Sequence, residues 1–236
     1  MTNPEQPSPR PVALVTGAGR TAGIGAGIAG ALAAAGWDIA FTYWDAYDRR
    51  MPWGPEPGAT EAIAGALAER GAAQLAVEAD LADPDTPARV FDEVERGLGA
   101  VSALLLCHCE SVDSDLFGTT VESFDRHFAV NARATWLLIR EFGLRFAAAR
   151  GTGRIISLTS DHTAGNLPYG ASKGAMDRIT LAAARELAHL GVTANVINPG
   201  PVDTGWMSGE LRAHCTMTPP AARGQIGASL RCRQSP

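Results

Sequence analysis

The chain has 236 residues, of which 19% are charged and 46% hydrophobic, and 20 Lys and Arg against 25 Asp and Glu give a net charge of −5. This balance is typical of one globular α/β domain, excludes a disordered chain and gives no general attraction to nucleic acid. No apolar run reaches the roughly 18 residues of a membrane span, and the proline-rich N-terminus lacks the apolar stretch of a signal peptide, so we expect a cytoplasmic protein.

Predicted strands and helices alternate along the chain. Short apolar runs predict strands at 12–16, 38–43, 73–78, 102–107, 154–159 and 192–197, and helical patterns predict helices at 24–35, 59–70, 86–98, 121–149 and 169–190. This alternation indicates βαβ units with right-handed crossovers, and therefore a single α/β domain with a doubly wound parallel sheet of the Rossmann type. The proline-rich segment 45–58 interrupts the rhythm as a long predicted loop.

A glycine-rich turn follows the first predicted strand. The run T-G-A-G-R-T-A-G-I-G at 16–25 leads into an Ala-rich helix. Glycines let the backbone approach a pyrophosphate, and the helix N-terminus supplies N–H groups and a positive dipole end. An ordinary glycine-rich turn is the alternative, but a second motif downstream favours a dinucleotide site.

That second motif is Tyr169 and Lys173, which stand four residues apart at the start of a predicted helix and therefore share one face. A fixed cation beside a phenol favours the phenolate. We therefore expect Lys173 to lower the pKa of Tyr169 and make it a proton donor and acceptor near neutral pH. Because this spacing arises by chance in many helices, the pair indicates a catalytic site only in combination with the glycine-rich turn upstream.

With both motifs in place, the chain resembles the short-chain dehydrogenase/reductase family over residues 11–207. The family's T-G-x-x-x-G-x-G pattern appears with two extra residues between Gly17 and Gly23. Further matching pieces follow in order: Asp80-Leu81, N-A-R-A from Asn131, the strand end at 155–160 and N-P-G-P-V-D-T at 198–204. The aromatic F-T-Y-W at 41–44 is similar to the 3-oxoacyl-(acyl-carrier-protein) reductase-like branch.

The resemblance implies an NADP(H)-dependent oxidoreductase that interconverts a carbonyl and a secondary alcohol, with 3-oxoacyl thioesters among its candidate substrates. Tyr169 would exchange a proton with the substrate oxygen, and Lys173 would also bond the nicotinamide ribose. Asn131 would hold a water on the proton path, and Ser160 would polarise the carbonyl. A catalytically weak or inactive dinucleotide-binding protein, acting as a sensor or scaffold, is the alternative function.

Two of these catalytic assignments have plainer alternatives. Only nine residues separate Ser160 from Tyr169, fewer than the family usually has, so Ser157 and Thr159 are fallback hydroxyls. Ser160 would otherwise be a cap or turn residue. Asn131 would otherwise be a polar contact inside its helix.

The resemblance also implies a cofactor-binding set. Arg20 in the glycine loop, with Arg49 and Arg50 beyond the second strand, offers guanidinium groups for a 2′-phosphate, and Asp45 lies slightly past the position where an acid would repel it. We therefore expect NADP(H) to be preferred over NAD(H), although Arg49 and Arg50 would otherwise be a solvated charge pair. Asp80 would contact the adenine amino group, with Leu81 beside the ring. The implied set is Gly17, Arg20, Gly23, Ile24, Gly25, Asp80, Leu81, Cys107, Tyr169, Lys173, Pro199, Gly200, Val202 and Thr204.

One segment departs from the family pattern. Where N-N-A-G usually follows the fourth strand, this chain has Cys107-His108-Cys109-Glu110. Consecutive strand residues point to alternate faces and form no compact tetrahedral set, so we expect no metal, and four cysteines in a cytoplasmic chain predict no disulfide framework. We expect Cys107 to contact the cofactor through its backbone and His108 to turn into the core.

The C-terminal end also departs from the family. No apolar strand or helix is recognisable in the atypical tail at 208–236, which is either truncated and divergent or translated out of register, so we expect disorder there and loss of the family's last strand and helix. A homodimer through the helices at 121–149 and 169–190 is then expected, with a homotetramer as the alternative. Trp206 and Met207 suggest an apolar substrate pocket that fits acyl chains, steroids and aromatic ketones equally well. The expected small and apolar dimer contacts are Ala175, Ile179, Ala182 and Ala183.

Overall fold

Six parallel strands form the sheet of the computed structural model, which describes residues 10–200 and 202–204, in the order β3-β2-β1-β4-β5-β6. The strand order reverses between β1 and β4, which opens a crevice beyond their carboxyl ends. The predicted doubly wound α/β fold is therefore confirmed. The strands are β1 (Val12–Thr16), β2 (Asp38–Tyr43), β3 (Gln74–Glu78), β4 (Val101–Leu106), β5 (Arg154–Leu158) and β6 (Thr193–Ile197).

Helices cover both faces of this sheet. Alternate residues of β1 enter different apolar layers: Leu14 packs in the layer that contains Leu138 and Phe142, and Val15 packs in the layer that contains Ile63. The helices are α1 (Ile24–Ala34), α2 (Asp45–Asp48), α3 (Ala59–Ala68), α4 (Thr86–Gly97), α5 (Val121–His127), α6 (Ala134–Arg145) and α7 (Leu167–Glu186). None of the helices in the described residues is long and apolar enough to cross a membrane.

The structure corrects two predicted elements. The helix predicted at 121–149 is divided by a π-helical turn at Phe128–Arg133, which separates α5 from α6. The predicted loop at 45–58 begins with α2, whose last residue, Asp48, accepts a hydrogen bond from the indole nitrogen of Trp53 over 2.8 Å. That bond folds the rest of the segment back against the helix.

The four predicted dimer contacts on α7 differ in exposure, and Ala175 is partly buried. Ala183 is only 6% exposed and belongs to the protein's own core, and Ile179 packs against that core, so neither is a free contact position. Ala182 is exposed, together with Leu181 at 51%. The predicted tail at 208–236, the loss of the last strand and helix, and the predicted substrate contacts Trp206 and Met207 lie outside the described residues.

Candidate active site

A cleft of about 370 Å³ lies beyond the carboxyl ends of β1 and β4. Every residue of the predicted cofactor-binding set lines it, as does the predicted catalytic residue Ser160. Asn131 is fully buried instead, and it lies in the π-helical turn behind the cleft. The fold therefore brings the glycine-rich turn, the end of β4 and the start of α7 together at one crevice.

At Gly17 the glycine-rich turn lies directly against the backbone of the segment that follows β4. The φ of Gly17 is +74°, and a Cβ added there would lie 2.6 Å from the Cα atom of His108. The neighbouring Ala18 amide donates to the carbonyl oxygen of Thr42 over 2.8 Å, which fixes the loop against β2. Only glycine fits at position 17, so the glycine-rich turn packs tightly against the segment after β4 and lines the cleft, a position suited to binding a pyrophosphate through backbone groups.

The two extra residues of the glycine loop are held by segment 45–58. The Thr21 amide donates to the carboxylate of Glu56 over 3.0 Å, and the Arg20 guanidinium lies 5.4 Å from the ring centroid of Trp53. The Nη1 atom of Arg20 is buried and has no hydrogen-bond partner in the described part of the chain. This arrangement leaves a guanidinium donor available beside the cleft.

Asp48 is an acidic residue that sequence reasoning missed. It is only 7% exposed and lines the cleft, whereas Asp45, the acid considered from the sequence, is not among the lining residues. Burial raises the pKa of Asp48, and the Trp53 hydrogen bond and the positive charge of Arg20 partly offset this rise. The sequence predicts a long proline-rich loop at 45–58, so it gives no indication that α2 would direct Asp48 towards the cleft.

Ser160 lies close enough to Tyr169 to lower the pKa of its phenol, although the loop between them is short. The Ser160 hydroxyl oxygen also accepts from the His162 amide over 3.2 Å. At Gly170 the loop packs directly on α7, since a Cβ there would overlap the carbonyl oxygen of His162. The fallback residue Ser157 is turned into the core, where its hydroxyl lies 2.8 Å from that of Thr180. The other fallback residue, Thr159, does line the cleft, but Ser160 is the hydroxyl that acts on the Tyr169 phenol.

Lys173 is only 2% exposed, and its Nζ atom donates to the carbonyl oxygen of Leu158 over 2.8 Å. Burial lowers the pKa of this ammonium group. Its Nζ atom is 5.7 Å from the ring centroid of Tyr169, but burial still raises the pKa of Tyr169, and only the neighbouring Ser160 side chain acts to lower it. The predicted net lowering of the Tyr169 pKa is therefore wrong for this structure, because burial of the phenol outweighs the nearby cation.

Asn131 ties two parts of the site together. Its side-chain amide donates to the carbonyl oxygen of Glu110 and to the hydroxyl of Ser172, both over 2.9 Å, and its Oδ1 atom accepts from the Glu110 amide over 2.7 Å. The π-helical turn exposes Asn131 to these long-range partners, a geometry that often occurs at functional sites. The polar contact considered as an alternative is present, and the predicted water-holding role stays a prediction.

His108 turns into the core, as expected. Its Nε2 atom lies 3.1 Å from the carbonyl oxygen of Val130, which can only accept, so Nε2 carries the proton and Nδ1 accepts from the Thr16 hydroxyl over 2.7 Å. Burial lowers the pKa of His108 to about 3. No cluster of three or more His, Cys, Asp or Glu side chains suited to a metal ion occurs within residues 10–200 and 202–204.

Glu110 binds two arginines, Arg50, which the sequence analysis considered, and Arg126, which it did not. Its buried carboxylate accepts two hydrogen bonds from Arg50, over 3.0 and 2.9 Å, and a third from Arg126 over 3.2 Å. The Arg50 side chain is 43% exposed, but its guanidinium is paired with a buried carboxylate and is not a free phosphate ligand in this structure. Arg126 also lies 3.5 Å from Asp80 at the predicted adenine position. In the sequence, Glu110 was noticeable only as part of the departure from the family's N-N-A-G pattern.

Comparisons with known proteins show which proteins this chain is similar to. The family model described as Enoyl-(Acyl carrier protein) reductase matches residues 17–223. An uncharacterized oxidoreductase of Bacillus subtilis is 34% identical over 221 residues, 92% of this chain and 84% of that protein. A solved short-chain dehydrogenase/reductase from Serratia marcescens is 29% identical, with a TM-score of 0.71, over 81% of this chain and 74% of that one. A blue fluorescent protein from a metagenomic library, solved in complex with NADPH, is 34% identical, with a TM-score of 0.73, over 86% of this chain and 81% of that one.

Proposed function

This chain belongs to the short-chain dehydrogenase/reductase family of oxidoreductases, and we propose that it uses NADP(H) to interconvert a carbonyl and a secondary alcohol. The observation that carries the proposal is that Tyr169, Ser160 and the buried Lys173 lie together in one cleft, with the Nζ atom of Lys173 5.7 Å from the ring centroid of Tyr169. These three groups line the same cleft as the glycine-rich turn at Gly17. A hydroxyl pair and a fixed cation at a dinucleotide site are the groups that proton transfer to a carbonyl oxygen requires.

The proposed proton transfer proceeds through Tyr169. The bound nicotinamide would supply the hydride that carbonyl reduction needs. Ser160 donates a hydrogen bond to the carbonyl oxygen and polarises it, and Tyr169 delivers its proton to that oxygen as negative charge develops there. The raised pKa of Tyr169 keeps the phenol protonated at neutral pH, which favours the reduction direction.

Lys173 and Asn131 support this transfer. The ammonium group of Lys173 stabilises the tyrosinate that remains, because a fixed positive charge near a phenolate lowers its energy. Lys173 also binds the nicotinamide ribose, and Asn131 holds the water through which the proton is replaced. The buried, fully engaged side chain of Asn131 supports a rigid placement of that turn.

The proposed cofactor preference rests on Arg20. Its unpartnered buried Nη1 atom is a donor that a 2′-phosphate would satisfy, and the NADPH complex of the metagenomic relative supports the same preference. Asp80 and Leu81 would hold the adenine. We further propose 3-oxoacyl thioesters as one substrate class, and a homodimer formed through α6 and α7.

Oxidation of NADPH, followed by loss of its fluorescence with a panel of aliphatic ketones, aromatic ketones and 3-oxoacyl thioesters, tests the proposal. Turnover with at least one carbonyl, abolished in the Tyr169→Phe variant, is the expected result. Tight binding of NADPH without turnover of any member would favour a catalytically inactive dinucleotide-binding protein instead.

A further inference from the structure

Segment 45–58 bridges both sides of the cofactor cleft. On the glycine-loop side, Thr21 donates to Glu56. On the β4 side, the hydroxyl of Tyr47 donates to the carbonyl oxygen of Ser111 over 3.3 Å, and Arg50 binds Glu110. The segment therefore spans the end of the cleft that the adenosine half of a dinucleotide would occupy.

Glu110 is the strongest of these attachment points. It is only 3% exposed, and a buried carboxylate is costly unless cations and hydrogen bonds compensate it. Here two guanidinium groups compensate it: Arg50 with a bidentate pair, which is the geometry of highest specificity, and Arg126 through Nε. The carboxylate thus fixes two long side chains that would otherwise be mobile in solvent.

Both arginines in turn contact groups that line the cleft. The guanidinium of Arg50 lies 5.5 Å from the ring centroid of Tyr47, and that of Arg126 reaches Asp80. Tyr47, Arg126 and Asp80 all line the cleft. The backbone of Glu110 is held independently by the side chain of Asn131, so removal of the charge leaves the strand end in place.

We propose that Glu110 is a positioning residue for dinucleotide binding: through Arg50 it fastens segment 45–58 over the adenosine end of the cleft, and through Arg126 it orients Asp80. The proposal deepens the proposed function and rests on it for the identity of the ligand. It concerns the adenosine half that NADP(H) and NAD(H) share. Glu110 therefore acts on affinity for both dinucleotides, whereas Arg20 acts on the choice between them.

Two variants test the arrangement: Glu110→Gln, which keeps the shape and removes the charge, and Arg50→Met. Each should raise the Kd of NADPH and of NADH by about tenfold or more, the scale of a lost hydrogen bond to a charged group. The kcat at saturating cofactor should stay near the wild-type value. Because Arg50 acts only through Glu110, the double variant should bind no more weakly than Glu110→Gln alone.

Glu141→Gln is a matched control. Glu141 is also buried and also binds two arginines, Arg140 over 2.9 Å and Arg145 over 3.1 Å, but it lies on α6 away from the cleft. It should bind both dinucleotides as the wild type does. A comparable loss in this control would show that the effect is general destabilisation, and would overturn the proposal.

A second readout uses no cofactor. Trypsin cleaves after arginine, and both Arg49 and Arg50 lie in segment 45–58. In Glu110→Gln, cleavage at these positions should be about tenfold faster, because the segment opens more often. Cleavage at the wild-type rate would overturn the fastening role, even if the variant failed to bind a dinucleotide.

The remaining outcomes of these experiments also decide whether the proposed role of Glu110 is correct. Wild-type affinity in both variants, or additive losses in the double variant, would overturn the proposal. So would a loss of kcat with unchanged Kd, since Glu110 would then act through Asn131. If the wild-type protein binds dinucleotides but reduces no carbonyl, the proposed reaction fails and the role of Glu110 is still decided by the Kd values. If it binds neither dinucleotide, both proposals fail.

Discussion

The Nζ atom of Lys173 donates a hydrogen bond to the backbone carbonyl oxygen of Leu158 over 2.8 Å, which joins α7 to the last residue of β5. A lysine side chain ordinarily has many rotamers, but this one is buried and anchored to the sheet. The position of the cation relative to Tyr169 is therefore set by the packing of α7 on β5. Catalytic groups held in this way lose little entropy when the reaction occurs.

Replacement of Tyr169 by Phe removes the transferable proton and keeps most of the ring packing. Turnover should fall by at least ~10²-fold, the scale of a lost general acid, and the Kd of NADPH should change little. Steady-state kinetics and fluorescence titration of the same preparation measure both effects. Turnover close to that of the wild type would mean that another group supplies the proton.

The pH dependence should differ between the two directions of the reaction. Burial raises the pKa of Tyr169, so the phenol stays protonated through the neutral range. Carbonyl reduction needs the protonated form and should hold a constant kcat/KM until the pH approaches the raised pKa. Alcohol oxidation needs the phenolate and should rise about tenfold per pH unit below that pKa. Oxidation that is independent of pH across the neutral range would contradict the assignment.

His108 should make the folded protein sensitive to acid. Its pKa is lowered to about 3, whereas an unfolded histidine titrates near ~6.5, so between these values only the unfolded chain binds the proton. The stabilisation is complete above the unfolded pKa and is lost as the pH falls, by up to ~1.4 kcal/mol per pH unit. His108→Asn, which removes the titrating group, should flatten this slope in urea unfolding measured across that range. An unchanged slope would show that other groups cause the acid sensitivity.

Arg20→Ala should weaken NADP(H) binding by ~1.5–3 kcal/mol, typical of a hydrogen bond to a charged group, and should spare NAD(H). The reason is the buried Nη1 donor that faces no partner in the described residues. Arg70→Ala, an exposed arginine outside the cleft, is the control for loss of one positive charge. Equal weakening of both dinucleotides in Arg20→Ala would place this residue against the pyrophosphate.

The strands were predictable because each apolar run is short and bounded by polar residues or glycine. The bounds of β1 and β2 coincide with the predicted 12–16 and 38–43, and the other strands differ by a residue at one or both ends. Burial of alternate faces in two apolar layers imposes that pattern locally. The glycine-rich turn and the pair of Tyr169 and Lys173 could also be recognised in the sequence, because each lies within one short stretch of chain.

Features that depend on distant partners were not predictable. The π-helical turn interrupts a helix that is continuous by sequence pattern, because Asn131 binds the backbone of Glu110, which lies 21 residues away. The partners of Glu110 itself lie 60 and 16 residues away, so its departure from the family pattern identified an unusual position without indicating its role. The predicted sign of the Tyr169 pKa shift was wrong because the extent of burial is a property of the folded cleft.

The outer faces of α6 and α7 carry the last prediction, a dimer in solution. Trp136 is 51% exposed and Leu144 is 69% exposed on α6, and Leu181 is 51% exposed on α7. Large apolar side chains on adjacent helices are stabilised when a second copy covers them. Trp136→Glu should therefore convert the dimer to a monomer in light scattering after size exclusion, because a charge would be buried at the contact. Phe117→Glu changes an aromatic side chain that is 93% exposed outside these helices, and it should leave the dimer intact. A wild-type monomer, or a tetramer insensitive to Trp136→Glu, would contradict this arrangement.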